Sequence, residues 1–192
     1  MRKLLKFVFI LFLGVICCAC VNSVAVHELN TKAVKYIEDG DIETAISRLE
    51  ASVDLDGNIY ESRYNLANAY LQVGKNKKAL EQIEAALDLI KNEPTVYYTH
   101  GVAAVKVADD IYEVKDDKGE LVEVKLDTEA DKIQAAKDYV ALLNKANKSF
   151  DEYIKIASNG DDTQEVLNLI NENNDKIAQK RTEFDLENIE WI

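Results

Sequence analysis

Apolar side chains recur at helical spacing from Val26 onward, and the pattern itself repeats. Ala33, Ala67 and Gly101 stand 34 residues apart, as do Tyr36 and Tyr70, Gly40 and Gly74, Ala45 and Ala79, and Tyr64 and Tyr98. Ala33, Val34, Tyr36 and Ile37 predict a first helix, Asp39-Gly40-Asp41 a turn, and Ala45, Ile46 and Leu49 a second helix. This unit runs from about Val26 to Ile59 and recurs from Tyr60 to about Glu93. It opens a third time at Pro94, the sole proline, at the first position of a helix, where a missing amide hydrogen costs nothing. One such helix pair cannot bury its apolar face alone. It has to stack on its neighbours, which makes a solenoid with a groove.

After Val107 the period changes. Apolar residues alternate around Asp116-Asp117-Lys118-Gly119, which predicts a β-hairpin over roughly 111–126 with Tyr112, Val114, Val122, Val124 and Leu126 on one face. A lone two-stranded ribbon is marginal in water, so this face is expected to pack on its own solenoid, a partner's surface being the alternative. A long helical pattern follows from Thr128 to Ser158, and Asn159-Gly160 stops it. Asp162 with Glu165 reads as a capping pair for a last helix through Val166, Leu167, Ile170 and Ile177, ending near Thr182 and closing the solenoid. The tail, 183–192, carries Phe184, Leu186, Ile189, Trp191 and Ile192. It is expected to fold back on the core; docking on another chain, including a second copy, is the alternative.

The second unit, YNLANAYLQVGKNKKALEQIEAAL, places Tyr64, Leu66, Ala67, Tyr70, Gly74, Ala79, Ile83 and Ala86 at slots that resemble those of the tetratricopeptide repeat, or TPR. Ala146, Phe150 and Tyr153 resemble the second-helix slots of the third repeat, resumed after the hairpin. The resemblance implies an all-α fold: a TPR-type helix-turn-helix solenoid over 27–182 with an inserted β-hairpin and a C-terminal capping helix. It also implies a groove lined by first-helix positions. These are Asn30, Val34 and Ile37 in repeat one, Tyr64, Asn68, Leu71 and Gln72 in repeat two, and Tyr98, Val102, Val105 and Lys106 in repeat three. Tyrosine and asparagine on such a surface suit an extended peptide or a helix. Family members that clamp a C-terminal carboxylate use two or three basic residues there. Only Lys106 is available, so that mode is not expected.

Residues 1–20, MRKLLKFVFILFLGVICCAC, have a basic tip, an apolar run from Phe7 to Ile16 and a small-residue end, the pattern of a secretory signal. The ending Ala19-Cys20 resembles a bacterial lipoprotein signal, which implies cleavage after residue 19, lipidation of Cys20 with acyl chains such as palmitate, and a spacer over 20–26. Cys17, three positions before the cleavage point, departs from the usual leucine. Two or more acyl chains suffice for stable anchoring. Val21 beside the anchor, in place of a retaining aspartate, implies the outer membrane where there are two. All three cysteines, Cys17, Cys18 and Cys20, lie in this segment, so no disulfide can brace the folded part.

Charge narrows the partners. The signal holds three of the 23 basic residues and none of the 35 acidic ones, so its removal takes the net charge from −12 to −15. Nucleic acid is not expected as a partner, and anionic lipid would be met through the anchor alone. Catalytic motifs are missing. His27-Glu28 begins like a zinc-protease motif, but Thr31 stands where the second histidine belongs. Asp54, Asp56 and Asn58 alternate like calcium ligands, but Gly57 is misplaced among them. With two histidines and no cysteine after residue 20, the chain is not expected to be an enzyme or to carry a cofactor or metal.

The expectation is a lipid-anchored interaction module or scaffold of the bacterial cell envelope, on the extracytoplasmic side, holding an envelope protein or peptide. The alternative is a carrier of a small apolar ligand associated with an uptake system. That reading requires an enclosed cavity between Tyr98, Val102, Val105 and the hairpin residues Val122 and Val124.

Overall fold

The computed structural model describes residues 23–115, 120–157 and 162–186. They form α1 (residues 23–38), α2 (Ile42–Leu55), α3 (Tyr60–Gln72), α4 (Asn76–Leu89), α5 (Pro94–Asp109), β1 (Glu113–Lys115), β2 (Leu121–Glu123), α6 (Glu129–Ala157) and α7 (Thr163–Glu183). From α2 onward each helix packs on the next, and the first helices of adjacent repeats, α3 and α5, also touch. Residues 23–26, placed in the spacer on sequence grounds, are already helical. Cys20 and the segment 187–192, with Ile189, Trp191 and Ile192, lie outside the described residues. No described helix is long and apolar enough to cross a membrane.

Two of the reversals are built alike. Gly40 (φ 80°) and Gly74 (φ 72°) sit in the left-handed region. At the first, Gly40 N donates to Ile37 O at 3.1 Å and Asp41 N to Tyr36 O at 2.8 Å. At the second, Gly74 N donates to Leu71 O at 3.2 Å and Lys75 N to Tyr70 O at 2.9 Å. These crossed bonds satisfy the last carbonyls of α1 and α3 and turn the chain into the next helix. The third equivalent position is Ala108, buried and helical, so α5 runs on to Asp109 before the hairpin begins.

The core changes character along the solenoid. Between repeats one and two, Ala33, Ala45, Leu49, Leu66, Tyr70 and Ala79 pack together. Beside them lies a polar cluster: the Asn30 amide donates to Ser52 Oγ at 2.9 Å and Ser62 Oγ at 2.7 Å, and both serines are fully buried. One repeat later the same three slots are Tyr64, Ala86 and Val96, and the interior is apolar. Next to it the Phe150 ring of α6 packs against Gly101, and the Tyr98 ring lies 6.0 Å from Phe150 and 5.7 Å from Tyr153.

The last helices close the fold. Thr128 and Asp131 form a reciprocal cap at the start of α6: Asp131 N donates to Thr128 Oγ1 at 3.1 Å and Thr128 N to Asp131 Oδ2 at 3.1 Å. Asp162, the residue expected to cap α7, makes no side-chain cap bond. Its own backbone is helical, which turns the carboxylate away from the free amides. Leu186, just beyond α7, is buried.

A second buried polar site joins α4, α5 and α6. His100 Nδ1 lies 2.6 Å from Ser149 Oγ, and His100 Nε2 lies 3.7 Å from Glu84 Oε1, which Lys145 Nζ contacts at 2.6 Å. Burial holds His100 below its ordinary pKa, with Glu84 opposing and Lys145 assisting.

Three outcomes follow for urea denaturation. Gly101→Ala gains about 0.5–1 kcal/mol of helix propensity but overpacks against Phe150 at a cost of about 1–3 kcal/mol, so a net loss is expected, smaller in a Phe150→Leu background. Gly74→Ala meets nothing within 4 Å, so its loss of roughly 1–2 kcal/mol comes from left-handed backbone alone. The unfolded chain binds a proton on His100 below about pH 6.5 while the folded chain resists it, so stability from neutral His100 is present above that pH and declines as pH falls. Between pH 6.5 and about 5, above the carboxylate range, the wild-type midpoint should drop more steeply than that of His100→Asn. Equal slopes would overturn this account.

Candidate functional site

The site lies where the third repeat lacks its turn glycine and the hairpin is inserted. With α5 extended and the hairpin following, a half-open cleft of about 980 Å³ forms between the C-terminal ends of α3 and α5, the start of α4, the first strand and Tyr139 of α6. Leu71, Gln72 and Val73 come from α3 and its cap, Asn76 from α4, Lys106, Asp109 and Asp110 from α5 and its cap, and Tyr112, Glu113, Val114 and Leu121 from the hairpin.

The hairpin is held by one aromatic contact and a short ladder. Tyr112 meets Tyr139 edge-on at 5.3 Å between ring centroids, and Lys180 of α7 lies 4.4 Å above the Tyr112 ring. Val124 N donates to Tyr112 O at 2.7 Å, and the register pairs Glu113 with Glu123, Val114 with Val122 and Lys115 with Leu121. The apolar face expected to pack on the solenoid is divided. Tyr112, Val124 and Leu126 are half-buried, whereas Val114 and Val122 are 42% and 45% exposed, and Leu121 on the other face is 66% exposed.

Charge in the cleft is mainly negative. Asp109, Asp110 and Glu113 line it against Lys106. Burial raises the pKa of Asp109, as does neighbouring Asp110, while Lys176 and Lys106 draw it down. Lys176 and Lys180 are paired with Glu172 and Glu183 at 2.8 and 2.9 Å. Asn76 Nδ2 donates to both Asp110 oxygens, at 3.0 and 2.9 Å. Asn76 Oδ1 and the Tyr112 hydroxyl are buried and have no hydrogen-bond partner among the described residues. Burial, with Glu183 adding to it, pushes the Tyr112 phenol up to about 12.

Of the groove positions implied by the sequence, Leu71, Gln72 and Lys106 meet in this cleft. Tyr64, Tyr98, Val102 and Val105 are half-buried against the central core, and Asn68 Nδ2 donates to Tyr64 O of its own helix at 3.0 Å. The Asn30 amide is engaged by the serines, Ile37 is half-buried, and Val34 is 44% exposed. Sequence reasoning did not find Asn76, Asp109, Asp110, Tyr112, Glu113 or Tyr139 as lining residues. The cleft lies at the turn ends of the repeats, whereas the family slots follow helix faces. One signal was available: Asn76 and Asp110 stand one 34-residue period apart.

A tetratricopeptide repeat family model matches residues 36–99, about a third of the chain. No curated protein matches this sequence. Among solved structures, the first TPR domain of Spaghetti (RPAP3) bound to the HSP90 peptide SRMEEVD is similar at 18% identity, covering 81% of this chain and 95% of that one, with a TM-score of 0.58. The second TPR domain of human RPAP3, in complex with the HSP70 peptide SGPTIEEVD, is 14% identical over 80% and 98% of the two chains, with a TM-score of 0.57. The Yersinia enterocolitica type III secretion chaperone SycD, in complex with a peptide of the translocator YopD, is 12% identical over 81% and 93%, with a TM-score of 0.53. Together with the paired helices and their repeated glycine turns, these likenesses establish the fold as a tetratricopeptide-repeat solenoid carrying a small two-stranded insertion.

Proposed function

We propose that this chain is a protein-protein interaction module anchored by lipid at Cys20 on the extracytoplasmic face of a bacterial envelope membrane, where it holds an envelope protein or peptide. The observation that carries the binding part is the half-open cleft in which Leu71, Gln72 and Lys106 of two successive repeats converge beside the hairpin. Three structures of the same fold hold short peptides. The carrier alternative needs an enclosed cavity bounded by Tyr98, Val102, Val105, Val122 and Val124. None of these lines the cleft, and its polar share is large.

The address rests on residues 1–20. With helix present from residue 23, the three residues Cys20 to Asn22 span at most about 11 Å, so the solenoid would stand close against the bilayer. Such a tether raises the local concentration of membrane-borne clients and excludes distant ones.

Cys20→Ser should abolish incorporation of labelled palmitate and move the protein out of the membrane fraction; retention of both would remove the lipid anchor. Gln72→Ala with Lys106→Ala changes two exposed cleft residues and should leave stability within about 0.5 kcal/mol. Crosslinked pulldown from native membranes with this pair is expected to lose a partner that the wild type retains. Recovery of the same partners from both would show that the cleft is not the binding surface.

A further inference from the structure

Resting on the reading of the cleft as a peptide-binding surface, we propose that its occupant is an extended segment with lysine or arginine side chains interleaved with aliphatic ones, added along the hairpin edge.

Three features of the cleft specify this chemistry. First, Asp109, Asp110 and Glu113 face Lys106 alone among the lining residues, and the nearby lysines of α7 already have acidic partners on their own helix. Complementary charge across an interface selects the partner and rejects the wrong sign. A segment such as SRMEEVD would set its carboxylates against these three. Second, Val114 and Leu121 border the same cleft and are exposed, which offers apolar contact for aliphatic side chains. Third, the sheet has two strands among the described residues, so each has an outer edge without a ladder partner. An added strand would satisfy that edge with main-chain bonds while alternate side chains enter the cleft.

The orphaned acceptor agrees with a donor-rich occupant. Asn76 lines the cleft and holds Asp110, and its buried Oδ1 lacks a donor among the described residues. A buried acceptor of this kind is costly to leave unpaired, and a lysine or arginine is the kind of donor that would satisfy it. At about 980 Å³ the volume is at the upper end of the range for small-ligand sites. A half-open space of that size suits several residues of a chain better than one enclosed metabolite.

The test is a selection of short random peptides displayed on phage against the full chain held in detergent, followed by affinity measurement on the recovered peptide. The expected product is a consensus with basic and aliphatic residues in alternation. Its Kd should rise about tenfold with Glu113→Lys and about as much with Leu121→Ser, both exposed positions, and it should weaken as salt is added. Leu89→Ser, at the far end of α4 and about 20 Å from Asn76 by helix rise, should leave it unchanged. An acidic consensus would overturn the charge assignment while leaving the binding-module reading intact. A basic consensus indifferent to Glu113→Lys and Leu121→Ser would place binding elsewhere on the solenoid and also overturn the proposal. Failure to enrich any peptide over a detergent control would overturn the proposal, and the native-membrane pulldown then decides separately whether the binding-module reading stands.

Discussion

The structure depends on how each first helix is ended. A left-handed residue after the last turn lets two crossed hydrogen bonds close off the orphan carbonyls and reverses the chain within a few residues. Gly40 and Gly74 do this at low steric cost because they lack a Cβ. Where alanine occupies the slot, at Ala108, the same reversal would cost left-handed strain, and the buried methyl packs instead against α6 and α7. The helix therefore continues, and the connection to α6 becomes a strand pair in place of a tight turn. The inserted strands, following a helix that lacks the turn glycine, wall a cleft at the turn edge of the solenoid.

Close packing of helix on helix supplies the rest. Ala33 and Ala67 are fully buried at the slot where two helices approach, and at Gly101 even a methyl is excluded because Phe150 occupies its space. The large ring is accommodated by the absence of a methyl group, the volume exchange that dense interiors require. The interface between repeats one and two is solved differently, with Asn30 bridging two buried serines. Buried hydroxyls of this kind are tolerable only when each finds a partner, and Ser52 and Ser62 also lie 2.9 Å from one another.

Charge then differentiates surfaces that share one backbone plan. Several acidic residues on solvated helix faces pair locally with lysines three or four residues away, as Glu28 with Lys32 and Glu172 with Lys176 do. Such pairs contribute little to stability. The carboxylates at the end of α5 differ, because Asp109 is partly desolvated and Asp110 is fixed by Asn76. Charge held in place beside apolar surface discriminates among partners in a way that mobile charge cannot.

The sequence by itself determined the helix pairs, their period and the two glycine turns, because those follow from local rules: apolar spacing, the need for φ above zero, and small residues where helices meet. It also located the hairpin, since alternation over so few residues is a local signal as well. Only the tertiary structure decided which residues form the cleft. Asn76, Asp110, Glu113 and Tyr139 belong to four different elements, and their proximity depends on where α5 ends and on where Tyr112 comes to rest against α6. It also decided the fate of individual groove positions, engaging the Asn30 amide in the interior and leaving Gln72 and Lys106 at the surface. Periodicity specifies the face of a helix that turns inward, but whether a polar side chain on it meets solvent or a buried hydroxyl depends on what the neighbouring repeat places opposite.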